Sequence, residues 1–433
     1  MADNLRSRAQ LRRAVLSSYF GSVIEYYDFL LYATASAVVF NKVFFSNLDP
    51  VLGTVASLGT FTTGYLARPI GGIVFGHFGD RLGRKRMLVI TMSMMGIAST
   101  LIGVLPTYAQ IGVWAPVLLI VLRVLQGVAV GGEWGGAVLM SAEHATSRRG
   151  LWASFTNAGA PSGMVVSTLL LTLMGAVTTD AQFLAWGWRV PFLLSVVLLA
   201  IGLFIRLKVD ETPVFAAVRE RSGAPLLEVL RRHPKNLLLS IGVGFGAFVA
   251  QGTLTTYVLS YAVHAGFSRQ TVLNAITVSS VGAVIGIIGY SALSDRIGRR
   301  PVVIAGALAT GVVGFLLFPL IDTGNAALLT LAVVLGQSVA HPAMYGPLAA
   351  LYTELFSTRT RYTGASLGYQ IAGLGAGLGP VVFASIAGAG TGVISAVIAG
   401  CCLVTVACVL VLRESNRADL AEPAGLPAVK AER

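Results

Sequence analysis

Gly76-His77-Phe78-Gly79-Asp80-Arg81-Leu82-Gly83-Arg84-Lys85-Arg86 is bounded on each side by an apolar run. Each run is about 20 residues, long enough to cross a bilayer as a helix. So short a connection makes the two helices antiparallel neighbours. Glycines let the chain reverse where a Cβ would clash, and the four cations cannot follow their helices into hydrocarbon. Asp80 is placed to pair with those cations or to face a helix N-terminus. The loop therefore reads as cytoplasmic.

The same grammar returns as Ser294-Asp295-Arg296-Ile297-Gly298-Arg299-Arg300, again between two apolar runs. A second marker repeats at nearly the same spacing: Glu143 precedes Arg148, Arg149 and Gly150, as Glu354 precedes Arg359, Arg361 and Gly364. Two markers that recur together indicate an internal duplication. At both loops an acid capping a neighbouring helix, with cations holding adjacent segments, makes a brace that exists in only one opening state. Gly76, Asp80, Arg81, Gly83, Arg84, Arg86, Asp295, Arg296 and Arg299 are therefore read as gating residues.

The G-x-x-x-D-R-x-G-R-K-R loop and its copy resemble the signature between helices 2 and 3 of the major facilitator superfamily. Glu25-Tyr26-Tyr27-Asp28-Phe29, Arg68-Pro69-Ile70-Gly71-Gly72 and Gly131-Gly132-Glu133-Trp134-Gly135-Gly136 are similar to its metabolite:proton symporter branch, and within that to shikimate-type transporters. The likeness runs from about Leu11 to Leu412. It implies an all-α membrane fold of twelve helices in two pseudo-symmetric six-helix bundles, and proton-coupled uptake of a small organic acid. The related proline/betaine transporters carry a longer C-terminal coiled coil, which has no counterpart in this sequence.

Composition agrees with a membrane protein. The chain is 55% hydrophobic and only 12% charged, with a mean hydropathy of +0.77, which excludes a water-soluble globule of 433 residues. A formal charge of +12 in a soluble protein would suggest nucleic acid. Here the cations fall in alternate connections, the mark of topology, so no nucleic-acid partner is expected. Cys401, Cys402 and Cys408 lie in the last apolar run without C-x-x-C spacing and read as packing residues. Arg6, Arg8, Arg12 and Arg13 precede an apolar segment that carries Glu25 and Asp28 and lacks an A-x-A site, so it is expected to be retained as the first span.

Apolar windows place spans near 15–38, 52–76, 87–106, 112–140, 150–175 and 187–208, then 237–262, 271–293, 301–321, 326–352, 363–388 and 391–412. With the N-terminus inside, only Lys42, Arg189 and Arg269 fall at the outer surface, while Arg68 and Arg123 lie within spans. That alternation sets both termini in the cytoplasm of a multi-pass cell-membrane protein. The chain divides into a first bundle, 1–208, a solvated connector, 209–236, a second bundle, 237–412, and a disordered tail, 413–433.

Acids inside hydrocarbon survive by facing a cavity or a partner. Glu25 and Asp28 share a helical face with Gly21 and Tyr32, and together with Glu133 they are the candidates for proton coupling. On the fourth span, Arg123-Val124-Leu125-Gln126-Gly127 resembles the superfamily's fourth-helix signature, whose arginine is implicated in coupling or substrate binding. A guanidinium cannot discharge in the membrane, and Glu133 lies about 15 Å along the axis, so Arg123 needs an anion from another helix or from the substrate. Arg68-Pro69 reads as structural, with Pro69 kinking its helix. In the second half the polar candidates are Gln251, Thr255, Gln337, His341, Tyr345, Tyr369 and Gln370. Substrate binding is assigned to Arg123, Gln126, Tyr32, Gln251, Gln337, His341 and Tyr345.

No Walker loop, Cys/His cluster or extramembrane nucleotide-binding segment is visible, so neither cofactor nor metal is expected, and primary active transport by this chain is not. An enzyme would need a nucleophile or cofactor motif that is not there. The expected activity is secondary symport of a small organic anion with protons by a monomer in a lipid bilayer, shikimate or a related carboxylate first. Dicarboxylates, ketoglutarate, citrate and betaine or proline zwitterions stand as alternatives, and an antiporter, uniporter or channel as other mechanisms.

Overall fold

The computed structural model describes residues 2–145, 147–209, 211 and 225–416. Every regular element among them is helical. Twelve long helices follow in order: α1 Ala2–Ala35, α2 Pro50–Leu82, α3 Arg84–Val104, α4 Trp114–His144, α5 Arg149–Val177, α6 Asp180–Leu207, α7 Pro234–His264, α8 Arg269–Ile297, α9 Arg299–Asp322, α10 Ala326–Glu354, α11 Arg361–Ala389 and α12 Thr391–Val411. Ten of them, α3 to α12, are long and apolar enough by length and composition to cross a membrane. α1 and α2, at 34 and 33 residues, have the length.

The polarity is inside out. Ile285 is 70% exposed and Val312 63%, whereas Asp28, Arg68 and Arg123 are buried. With no hydrophobic force between helices in lipid, packing relies on close backbone approach and interior polar contacts. In the first half α1 packs on α5, α2 on α4 and α3 on α6; in the second α7 packs on α11 and α9 on α12. The halves meet where α2 runs along α11 and α5 along α8.

The connection expected over 76–86 shrinks to one residue. α2 continues through Gly76 and Asp80 to Leu82, and α3 begins at Arg84. Gly83 turns the chain with φ 108° and ψ 153°, and Gly298 repeats this between α8 and α9 with φ 104° and ψ 157°. Side chains other than glycine are strained there by of order 1–3 kcal/mol. A Cβ at Gly298 also runs into the Glu414 carboxylate, whereas one at Gly400 meets nothing. Gly298→Ala should therefore lower the thermal unfolding midpoint of the purified protein while Gly400→Ala leaves it in place.

Four stretches widen into π-helix: Ser36–Phe40 after α1, Phe183–Gly187 in α6, Thr253–Tyr257 in α7 and Leu335–Ala340 in α10. Such turns loosen the main-chain ladder and recur at functional sites.

The segments expected to be solvated or disordered are partly built. A helix spans Pro225–Arg232, burying Val229. Glu211 accepts from the Lys85 N–H at the start of α3, 3.2 Å. Glu414 does the same for α9, accepting from the Arg299 and Arg300 N–H groups at 2.8 and 3.1 Å, while the Ser415 hydroxyl donates to Glu354 at 2.6 Å. Burial alone would raise the Glu414 carboxyl, but the backbone N–H groups of Arg299, Arg300, Ser415 and Asn416 outweigh it and hold it below the usual range. The clamp thus persists above the ordinary carboxylate pKa and is lost as pH falls through the depressed one. The rest of the expected connector (210 and 212–224) and tail (417–433) lies outside the described residues.

Candidate functional site

Three constellations emerge: a charged latch at one face, a cavity between the halves, and a buried charge network inside the first half.

The latch is wired crosswise. Asp80, on the last turn of α2, accepts from the Tyr362 and Thr363 N–H groups at 3.2 and 3.0 Å and from the Thr363 hydroxyl at 2.8 Å, capping α11 of the other half. Gly76 permits this, because a Cβ there would press on Thr363. Asp295 returns the contact by accepting from the Gly150 and Leu151 N–H groups of α5, 2.8 and 2.9 Å. Two further acids bridge the halves. Glu143 takes Arg84 at 3.4 Å and Arg361 at 3.3 Å, and Glu354 takes Arg299 at 3.2 Å and Arg149 at 3.3 Å. Of the gating residues read from sequence, Arg81, Arg86 and Arg296 are exposed and stand outside these bridges. Glu143 and Glu354 were visible in the sequence only as repeat markers.

Beyond the latch lies a cavity of about 40 Å3 lined by Tyr26 and Tyr65 from the first half and Gln251, Gln337, His341 and Tyr345 from the second. That volume admits water and excludes a ring acid. The Gln337 amide is held by Ser279 at 3.0 Å and Ser280 at 2.9 Å. His341 Nε2 meets the Ala247 carbonyl at 3.1 Å, and its ring stacks on Tyr345. On the latch side Trp134 of α4 lies flat on Tyr369 of α11, 3.5 Å between centroids and 9° between planes. Gln370 and Tyr362 donate to the Gly131 and Gly132 carbonyls, 3.1 and 2.6 Å. Toward the opposite face the halves part around a larger space of about 450 Å3 between α1, α5 and the start of α8, lined by Thr34, Thr172, Asp180, Arg269 and Gln270 among others. The halves are therefore bound together at the latch and leave this space beside α1, α5 and α8 at the opposite face.

Tyr32, Arg123 and Gln126 do not line the cavity; they sit within the first half. Among the described residues Arg123 finds no carboxylate. It donates to Gln126 Oε1 at 3.0 Å, and its guanidinium lies over Phe29, Tyr32 and Phe61 at 3.9, 4.2 and 5.0 Å, with Nε and Nη2 unpartnered. Aromatic faces supply the attraction that a counter-ion would. Gln126 in turn donates to the Ser99 hydroxyl at 2.7 Å, and Ser99 faces the Asp28 carboxyl. Asp28 accepts from the Ser195 hydroxyl on one oxygen and leaves Oδ2 without a partner. Asp28 and Arg123 are thus joined through Ser99 and Gln126 in a dry bundle.

Glu133 is paired with Arg206 and accepts from Thr91 at 3.3 Å. This corrects the expectation that Arg68 and Arg123 are the cations within the spans and that Arg206 stays with the cytoplasmic ones: Arg206 turns inward, because Gly21 on α1 leaves room for its guanidinium and Glu133 supplies an anion. Glu25 is buried with neither oxygen bonded. Arg68 is buried among Tyr26, Phe29 and Tyr65, a position that sequence reading, drawn to Pro69, left as structural.

Comparison with known proteins bears on this arrangement. Residues 19–292 and 275–432 match the family model described as Major Facilitator Superfamily. The chain is 39% identical over 424 residues to the shikimate transporter of Escherichia coli strain K12, covering 95% of this chain and 97% of that one. It is 34% identical over 394 residues to the proline/betaine transporter of the same organism, covering 87% and 77%. Among solved structures, the proton:xylose symporter XylE bound to 6-bromo-6-deoxy-D-glucose superposes with a TM-score of 0.78 at 16% identity over 96% of this chain and 98% of that one. The partially occluded inward-open XylE from E. coli gives 0.69 at 18%, over 94% and 99%. At those identities the likeness is one of fold.

Proposed function

Because this chain belongs to the major facilitator superfamily, whose members like it are transporters and not enzymes, we propose that it carries a small organic acid together with protons into the cell. Shikimate or a related ring carboxylate is the first substrate to test. The observation that carries the reading is the Asp28–Ser99–Gln126–Arg123 line: an intramembrane acid able to take and give a proton, tied to an intramembrane cation inside the first bundle, whose Tyr26 and Tyr65 border the cavity between the halves. Asp28 exchanges the proton, and Glu25 and Glu133 are the other two candidate acids inside the first bundle. Gln251, Gln337, His341 and Tyr345 shape the substrate's polar end.

The halves 1–208 and 237–412 rock about that cavity as transporters built from repeats do, with 209–236 as their tether. The latch is the cytoplasmic gate, so the present state faces outward. The protein works as a monomer in the cell membrane with both termini inside.

Reconstituted protein, screened with shikimate, ketoglutarate, citrate, glycine betaine and proline, should accumulate one of the acids when the outside is made acidic, and a protonophore should stop it. Accumulation indifferent to the pH gradient overturns symport. Glycine betaine or proline accumulated in place of shikimate moves the substrate to the zwitterions.

The orientation is checked separately. In a chain whose native cysteines are replaced, Ser222→Cys should resist an impermeant thiol reagent in intact cells while Asn47→Cys reacts. Equal labelling at both positions contradicts the assignment of inside and outside.

A further inference from the structure

We propose that Arg68 and Glu25 form an exchangeable charge pair: the substrate's carboxylate replaces Glu25 as the counter-ion of Arg68, and Glu25 takes up a proton as it is replaced. This rests on the symport reading above and names the residues that tie the acid to its proton.

Four buried charges meet beneath the cavity wall. Glu133 and Arg206 pair with one another through Arg206 Nη2, with Arg206 Nε and Nη1 left over, and no such pair joins Glu25 to Arg68 among the described residues. Both are nearly inaccessible, at 3% and 1% exposure. Among the described residues neither Glu25 oxygen has a donor, and Arg68 Nε and Nη2 have no acceptor. Arg68 reaches the Tyr65 hydroxyl and lies against the rings of Phe29 and Tyr65 at 4.8 Å each and Tyr26 at 6.0 Å, with Tyr369, Glu25 and Arg123 near enough to interact with its charge. Two opposite charges buried this deeply that attract one another without a direct hydrogen bond are a costly arrangement unless a third group completes it.

The position suits a carboxylate. Tyr26 and Tyr65 line the cavity, so Arg68 stands one side chain behind its wall. Turning those rings aside gives a ligand direct access to the two idle nitrogens. A planar guanidinium with two idle N–H-bearing nitrogens fits a carboxylate's two oxygens.

Charge balance supplies the coupling. The charges acting on Glu25 are Glu133 from α4, Arg68 from α2 and Arg206 from α6; α5, which packs along α1, brings none among the described residues. The cluster is neutral with both acids ionised. A carboxylate arriving at Arg68 adds one negative charge in a medium that screens it poorly, and one proton bound by Glu25 restores neutrality. The balance at this pair is R–COO⁻ plus one H⁺, taken in together from the open face and released together, in addition to the proton that Asp28 exchanges. Any small acid with one carboxylate fits, shikimate and glycine betaine alike.

Purified protein is titrated with shikimate, and separately with glycine betaine, by calorimetry in buffers of differing ionisation enthalpy, which counts protons taken up per ligand. The wild type should bind one proton more per ligand than Glu25→Gln. Its affinity should fall as pH rises, by up to about tenfold per pH unit, and that of Glu25→Gln should be flatter. Arg68→Gln should weaken binding at least tenfold, with Arg68→Lys in between. Equal proton counts in wild type and Glu25→Gln overturn the exchange while leaving symport standing, and so does full affinity in Arg68→Gln. Wild type that binds neither probe overturns the exchange, and symport is then judged by the accumulation screen above. Should Arg68→Gln not fold, the near-isosteric Glu25→Gln count decides alone.

Discussion

Asp28→Asn abolishes accumulation against a gradient and spares exchange of labelled for unlabelled substrate. Asparagine keeps the size of the carboxyl and an acceptor for Ser195, so the bundle around it retains its shape. It cannot release a proton, so the step that returns the empty carrier after discharging to the cytoplasm is lost. Exchange never requires that release, and should become insensitive to pH. Transport assays on reconstituted protein, run in both modes, read the two quantities. Arg123→Lys should behave otherwise. An ammonium keeps the charge but loses the planar group that lies on Phe29 and Tyr32 and donates to Gln126, so both modes weaken. If Asp28→Asn still concentrates substrate, the coupling acid is Glu25 or Glu133.

Asp80→Asn opens the latch. One ionised carboxylate accepts two backbone N–H groups and a hydroxyl from α11, and hydrogen bonds to a charged group contribute about 1.5–3 kcal/mol each. Loss of even one such increment shifts the balance between closed and open latch by roughly tenfold or more. The variant should therefore slow alternation more than it weakens substrate binding, and a cysteine placed near Thr363 should become reactive from the latch side. Asp295→Asn should act alike through α5. Lost binding with an unaltered exchange rate would show that Asp80 acts elsewhere than at the gate.

The twelve spans were legible because charge alternates with topology, and because the pair of loops around Gly83 and Gly298 repeats in sequence what it repeats in backbone angle. What escaped was depth. Helical periodicity sets Tyr32, Arg123 and Gln126 on an inward face, but it does not say whether that face meets the cavity or its own bundle's core. Arg206 lies one turn from a helix end, where cations ordinarily stay in water, and only the space beside Gly21 reveals that it turns in. The crosswise partners of Glu143 and Glu354 come from distant segments, so no local pattern contains them. Trp134 on Tyr369 is likewise a contact between halves that neither half announces.

The clamp at Glu414 sets a limit on where the polypeptide can be cut. A chain ended after Leu412 retains every apolar segment and passes any hydropathy inspection. It nevertheless strips the first amides of α9 of their acceptor and takes the Ser415 hydroxyl from Glu354, which also holds Arg149 and Arg299. Trimming the tail is thus an edit to the latch, and a reporter or affinity tag belongs after Asn416 rather than flush against the final helix.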